Sequence, residues 1–190
     1  HTTNLPIDVN IKGGEISETG TNGHALYEID TVKNEAAENV AKDVSITVSG
    51  GSFNGNVYST NNKLSITGGA FTDLANAVKY AADNATIKLA GDVSANVTIP
   101  EGKTITLDLN GKTLNGGKNN GNAALLNKGT ITIKDSSATK TGTIKREDDA
   151  DKTGTSYYVI KNLGTMTIEQ ANVINNSGYK KTNPSGSMVG

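Results

Sequence analysis

The candidates for chemistry singled out in this chain are carboxylates, a histidine and tyrosines, and among its 190 residues there is no Cys, no Trp and only 2 His. Without cysteine there is neither a disulfide framework nor a thiolate zinc site, and the redox compartment stays open. Asp108 is a carboxylate inside a strand-like run, Ile105-Thr106-Leu107-Asp108-Leu109-Asn110-Gly111. Glycoside hydrolysis needs an acid and a base roughly 5 to 10 Å apart, but an Asp ahead of a Leu-Asn-Gly turn more often bonds the next backbone amides. The densest charge run is Lys145-Arg146-Glu147-Asp148-Asp149-Ala150-Asp151-Lys152. Glu147, Asp148, Asp149 and Asp151 are candidate oxygen ligands for Ca²⁺, but the run lacks the Asp-x-Asp-x-Asp-Gly spacing and is flanked by cations. A solvated loop with no cofactor is the favoured reading there. His24, beside Asn22-Gly23, has no second His or Cys at ligand spacing and is expected on an exposed loop. Tyr157 and Tyr158 are adjacent in a strand-like segment and point to opposite faces, so one should be exposed and able to stack on a sugar. The Gly116–Gly121 stretch has no Lys-Ser/Thr and no helix after it, which makes it a corner rather than a phosphate loop.

Charge and hydropathy exclude further classes. A net charge of −1 with singly scattered Lys and Arg gives no basic stripe, and 6 Tyr with 2 Phe offer few stacking partners for bases. Nucleic acid is not an expected partner. No apolar run approaches the roughly 20 residues of a membrane helix. The opening His1-Thr2-Thr3-Asn4 lacks the regions of a signal peptide. A soluble chain is expected, with any export signal outside it.

The elements that would carry these residues are strands. Ile and Val together outnumber Leu by more than two to one, and Thr and Asn are each about as common as Gly, which is sheet and turn chemistry. The segments Val9-Asn10-Ile11-Lys12-Gly13-Gly14-Glu15-Ile16, Ile46-Thr47-Val48-Ser49-Gly50-Gly51-Ser52-Phe53 and Leu64-Ser65-Ile66-Thr67-Gly68-Gly69-Ala70-Phe71 share one pattern. A second series, Thr104-Ile105-Thr106-Leu107, Thr130-Ile131-Thr132-Ile133 and Thr165-Met166-Thr167-Ile168, is apolar at period two with Thr between. The Gly-Gly pairs lie 37 and then 18 residues apart and the last two Thr-rich strands 35 apart, near one or two multiples of roughly 18. Stacked turns of a solenoid explain this, because one turn alone cannot bury its apolar side chains. An antiparallel sandwich also fits regular strands with turn signals and is the alternative. The unequal spacing of the Thr-x-Thr triplets speaks against a regular ice-binding array and for ordinary outward strand faces. Thr72 to Asn84 breaks the pattern: Leu74, Ala77, Val78, Ala81 and Ala82 form one helical stripe, with Thr72 or Asp73 placed to cap it. Glu35 to Lys42 is a weaker helical excursion on a loop.

The run from Leu74 to Leu114, an Ala-rich helix followed by "ATIKLAGDV" and "VTIPEGKTITLDLNGKTL", resembles the amino-terminal cap and first coils of the right-handed parallel β-helices of the pectate-lyase-like superfamily. "ITGGAF" resembles repeats in large secreted surface proteins of Gram-positive bacteria. The resemblance implies an all-β, right-handed parallel β-helix with a short amphipathic capping helix near 72–84, in which Leu74, Val78 and Ala81 would seal the open end of the core. It implies two units, 1–71 as the last coils of one and 72–190 as helix and coils of the next. Enzymes of that superfamily use paired aspartates, or calcium-bound uronate with an Arg or Lys base, and no such constellation is present here. The function expected is therefore a non-catalytic, extracellular or cell-surface structural or adhesive module that binds glycans or host surfaces. A fragment of a polysaccharide lyase or hydrolase is the alternative. The pattern at residues 5–16 and at 166–190 suggests uncapped ends, and hence a piece of a longer protein or head-to-tail stacking into fibres.

Overall fold

The structure, a computed structural model, describes residues 7–20, 23–29, 44–60, 63–117, 122–147 and 158–176. The expected excursion at Glu35 to Lys42 lies outside the described residues. Seven successive turns stack along one axis. The first holds β1 (Ile7–Ile11), β2 (Glu15–Ser17) and β3 (His24–Glu28), and the second β4 (Val44–Val48), β5 (Ser52–Asn54) and β6 (Asn56–Ser59). The third holds β7 (Leu64–Phe71) and the helix α1 (Leu74–Tyr80). The fourth holds β8 (Ala81–Leu89), β9 (Val93–Ser94) and β10 (Val97–Ile99), and the fifth β11 (Thr104–Asp108), β12 (Thr113–Asn115) and β13 (Leu125–Asn127). The sixth holds β14 (Thr130–Lys134), β15 (Thr143–Arg146) and β16 (Ile160–Asn162), and the seventh β17 (Thr165–Ile168) and β18 (Asn172–Asn175).

The protein is an all-β parallel solenoid with one short helix among the described residues. One sheet runs the whole length, β1-β4-β7-β8-β11-β14-β17, and the others are β3-β6, β10-β13-β16 and β18-β15-β12-β9. Every strand pairing among the described residues is parallel, which rules out the antiparallel sandwich. Like residues stack on like: Ile105 pairs Ile131, which pairs Met166, while Leu107 pairs Ile133, which pairs Ile168. Phe53 and Phe71 lie ring on ring inside the core, centroids 4.9 Å apart and 9° from parallel.

Turn length departs from the sequence-based expectation. Ile7 pairs Val44 directly and Ile131 pairs Met166 directly, so the spacings of 37 and 35 residues are single turns rather than pairs of turns. The extra residues fall between strands in the sequence, where chain can be inserted without changing the register of the strands it joins. The Gly-Gly pairs make one bend per turn. A Cβ on Gly50 would lie 2.4 Å from the carbonyl oxygen of Lys12, and Gly51 has φ +96°, so one glycine admits the neighbouring backbone and the next turns the chain.

The helix is shorter than the expected 72–84. Asp73 caps it through Oδ1, which accepts the Asn76 N–H at 3.2 Å, and Ala81 leaves it with an extended backbone to begin β8 opposite Ile66. Sheet pairing overrides the helix preference of Ala81 and Ala82. The helix takes the position of a strand within the stack, touching β6 on one side and β10 on the other. Where it replaces a strand, its side chains replace the missing ladder. Thr72 Oγ1 accepts the Gly55 N–H at 3.0 Å, Asp73 Oδ2 accepts the Val57 N–H at 2.9 Å, and Tyr80 Oη accepts the Ser59 N–H at 3.1 Å. Three alternate donors on one edge of β6 are thus satisfied by side chains.

Candidate functional site

The outer face of β3 and β6 carries a cluster of exposed aromatic rings. Leu26 and Val57 are register partners that point into the core, which turns the following pair, Tyr27 and Tyr58, outward. Their rings stack at 5.6 Å and 26°, and they remain 56% and 39% exposed. The pairing is irregular between His24 and Leu26. That irregularity lets His24, three residues before Tyr27, share its face, with the imidazole 4.7 Å from the Tyr27 ring and 6.3 Å from the Tyr58 ring. His24 is exposed as expected, but it lies on a strand rather than on a loop.

Beside this face is an open groove of about 280 Å³ at the start of α1, lined by Asn56, Asp73, Asp92 and Ser94 among others. Asn56 belongs to both features, since it is exposed two residues before Tyr58 on the same strand. The two carboxylates are fixed in place. Asp73 Oδ2 also accepts from Asn76 Nδ2 at 2.8 Å, and Asp92 Oδ1 accepts the Thr113 N–H at 2.8 Å.

Asp108 does what its turn suggests. Its Oδ1 accepts the N–H groups of Asn110 at 3.0 Å and Ser136 at 2.9 Å, tying its own corner to that of the next turn, where Asn110 (φ 50°) and Gly111 (φ 74°) take the left-handed backbone. Its buried Oδ2 has no hydrogen bond and lies 3.7 Å from Lys88 Nζ. Burial pushes this carboxyl up, but Ser136, Asn110 and the Lys88 ammonium outweigh it and hold it below the usual range. Asp135, which no pattern in the sequence singles out, is buried at the equivalent corner. It accepts the N–H groups of Gly111, Ser137 and Gly142 at 2.8, 2.9 and 2.6 Å.

The other candidates divide between described and undescribed residues. Tyr158 is half-buried, and Tyr157 lies outside the described residues, as do Asp148, Asp149 and Asp151. Glu147 Oε1 accepts from Asn115 Nδ2 at 2.9 Å and pairs with Lys145 Nζ at 2.8 Å. Leu74, Val78 and Ala81 are all buried in the core. The Thr triplets align despite their unequal spacing, Thr104 beside Thr130 beside Thr165 and Thr106 beside Thr132 beside Thr167. The structure adds an asparagine ladder. Asn127 Nδ2 donates to Asn162 Oδ1 at 2.7 Å, and each side chain accepts the N–H of the Gly two residues on; the repeated Asn-x-Gly-Thr is its signal in the sequence. Compared with known proteins, the chain matches no protein-family model, no curated protein and no solved structure.

Proposed function

We propose that this chain is a non-catalytic extracellular module, structural or adhesive, of a bacterial surface or fibre protein, built from coils of the pectate-lyase-like kind that residues 74–114 resemble. The observation that supports it is the use of its buried carboxylates. A glycosidase needs one carboxyl held protonated near neutrality and a second one ionised. Asp108 and Asp135 are both held below the ordinary carboxylate range by the backbone amides they organise, so neither is suited to be the acid. In assays against pectin, alginate and host-type glycans, neither reducing nor unsaturated ends should accumulate. Steady product release that disappears in Asp108→Asn would establish the lyase or hydrolase reading instead.

End-to-end self-association is a second role favoured by a specific observation. Ile7, Val9 and Ile16 in the first described turn, and Leu163, Ile168 and Ile174 in the last two, are exposed apolar side chains at the two ends of the described stack. Exposed apolar side chains on strands favour pairing with another chain, and a head-to-tail contact that does not close grows fibres. Light scattering over a wide concentration range should show particle mass rising with concentration. A mass fixed at one chain throughout would exclude this role.

A further inference from the structure

We infer that the outer face of β3 and β6, together with the groove at the start of α1, is a binding site for a neutral glycan. This rests on the reading of the chain as a non-catalytic module and gives that module its ligand class.

Three features select a sugar. Tyr27 and Tyr58 hold each other in a fixed stack while leaving much of both rings in water, which is a preorganised surface for the apolar face of a pyranose. His24 lies against the same rings, and Asn56 borders both the rings and the groove, so groups able to bond hydroxyls surround the stacking surface. A purely apolar partner would leave these groups unpaired, whereas a sugar uses both kinds of contact at once.

Charge then selects among sugars. Asp73 and Asp92 line the groove, and among its described lining residues there is no Lys or Arg. A uronate or sialic acid entering there would meet like charge, with no compensating cation among the described lining residues. A neutral sugar meets fixed carboxylate oxygens that accept from its hydroxyls, and charge-assisted hydrogen bonds of this type are the stronger ones.

The test is affinity electrophoresis of the full chain through gels containing a galactomannan, a xyloglucan or a mixed-linkage β-glucan, with polygalacturonate and alginate as anionic counterparts. At least one neutral polymer should retard the chain, and the anionic ones should not. Tyr27→Ala and Tyr58→Ala should each weaken that binding about tenfold, whereas Tyr27→Phe, which keeps the ring, should retain it. Both tyrosines are exposed, so thermal melts of the variants should match the parent; Tyr27→Phe serves as the folded reference if an alanine variant melts lower. Retardation by no neutral polymer, retardation that survives both alanine variants, or preferential binding of polygalacturonate would each overturn the site. The non-catalytic reading would survive all three results, since only product release defeats it.

Discussion

Leu74→Asp and Val78→Asp should each lower the unfolding free energy by about 4 kcal/mol, whereas Ala75→Asp, one residue from Leu74, should change it by less than about 0.5 kcal/mol. Leu74 and Val78 are 1% exposed, and the helix that carries them fills the place of a strand between β6 and β10. A carboxylate there is shut off from water and must stay charged at a severe desolvation cost or bind a proton at the expense of stability. Ala75 is exposed in the first turn of the helix, where a negative charge is favourable. Tyr80→Phe probes the same design more gently. Its hydroxyl donates to the Ser59 carbonyl at 2.8 Å and accepts the Ser59 N–H at 3.1 Å, so removal should cost about 1–3 kcal/mol by stripping a buried strand edge of its partner. Urea unfolding of the four variants checks this, and unchanged midpoints for both Asp variants in the core would show that the helix contributes nothing to the stack.

The strands are legible because burial on one face writes period two into the sequence. Ile105 and Leu107, Ile131 and Ile133 alternate with Thr, and all four are buried in the structure. The helix stripe is legible for the same reason at a different period, through Leu74, Ala77 and Val78. Turn length is not legible. The matched Thr-rich strands and the repeated Asn-x-Gly-Thr mark where the chain re-enters the sheet, but nothing between Ile131 and Met166 tells whether one turn or two separates them. The polar sites are hidden for a related reason. Tyr80 matters through Ser59 and Asp73 through Val57, contacts made across a turn, which local pattern does not report. Tyr27 and Tyr58 come together only because their strands pair in that register, and His24 joins them only through the irregularity beside Ala25. The adjacent Tyr157 and Tyr158 stand out in the sequence instead, because adjacency is visible there and stacking is not.

Asp135 should impose a pH dependence on stability that Asp135→Asn removes. Burial alone pushes its carboxyl up, but hydrogen bonds from the Ser137 side chain and from the N–H groups of Gly142, Ser137 and Gly111 outweigh it and bring it to about 2, against an ordinary 3.8. A depressed folded-state value means that the folded chain holds the ionised form more strongly than the unfolded chain does. The associated stability is therefore fully present above about 3.8 and is lost as pH falls through about 2. At about 1.4 kcal/mol for each tenfold change in proton affinity, the contribution is about 2 kcal/mol, and the amide variant should lose at least that much at neutral pH because it cannot accept all three N–H groups as an anion does. Space reinforces the requirement for this particular carboxylate. A Cβ at Gly142 would lie 2.8 Å from Asp135 Oδ2, so the corner has closed around an acceptor of this size. Urea midpoints of the parent and of Asp135→Asn, measured from pH 7 down to pH 2, should differ most above about pH 4 and draw together as pH approaches about 2. Two curves that run parallel across the range would show that the carboxyl is not held in its ionised form by the fold.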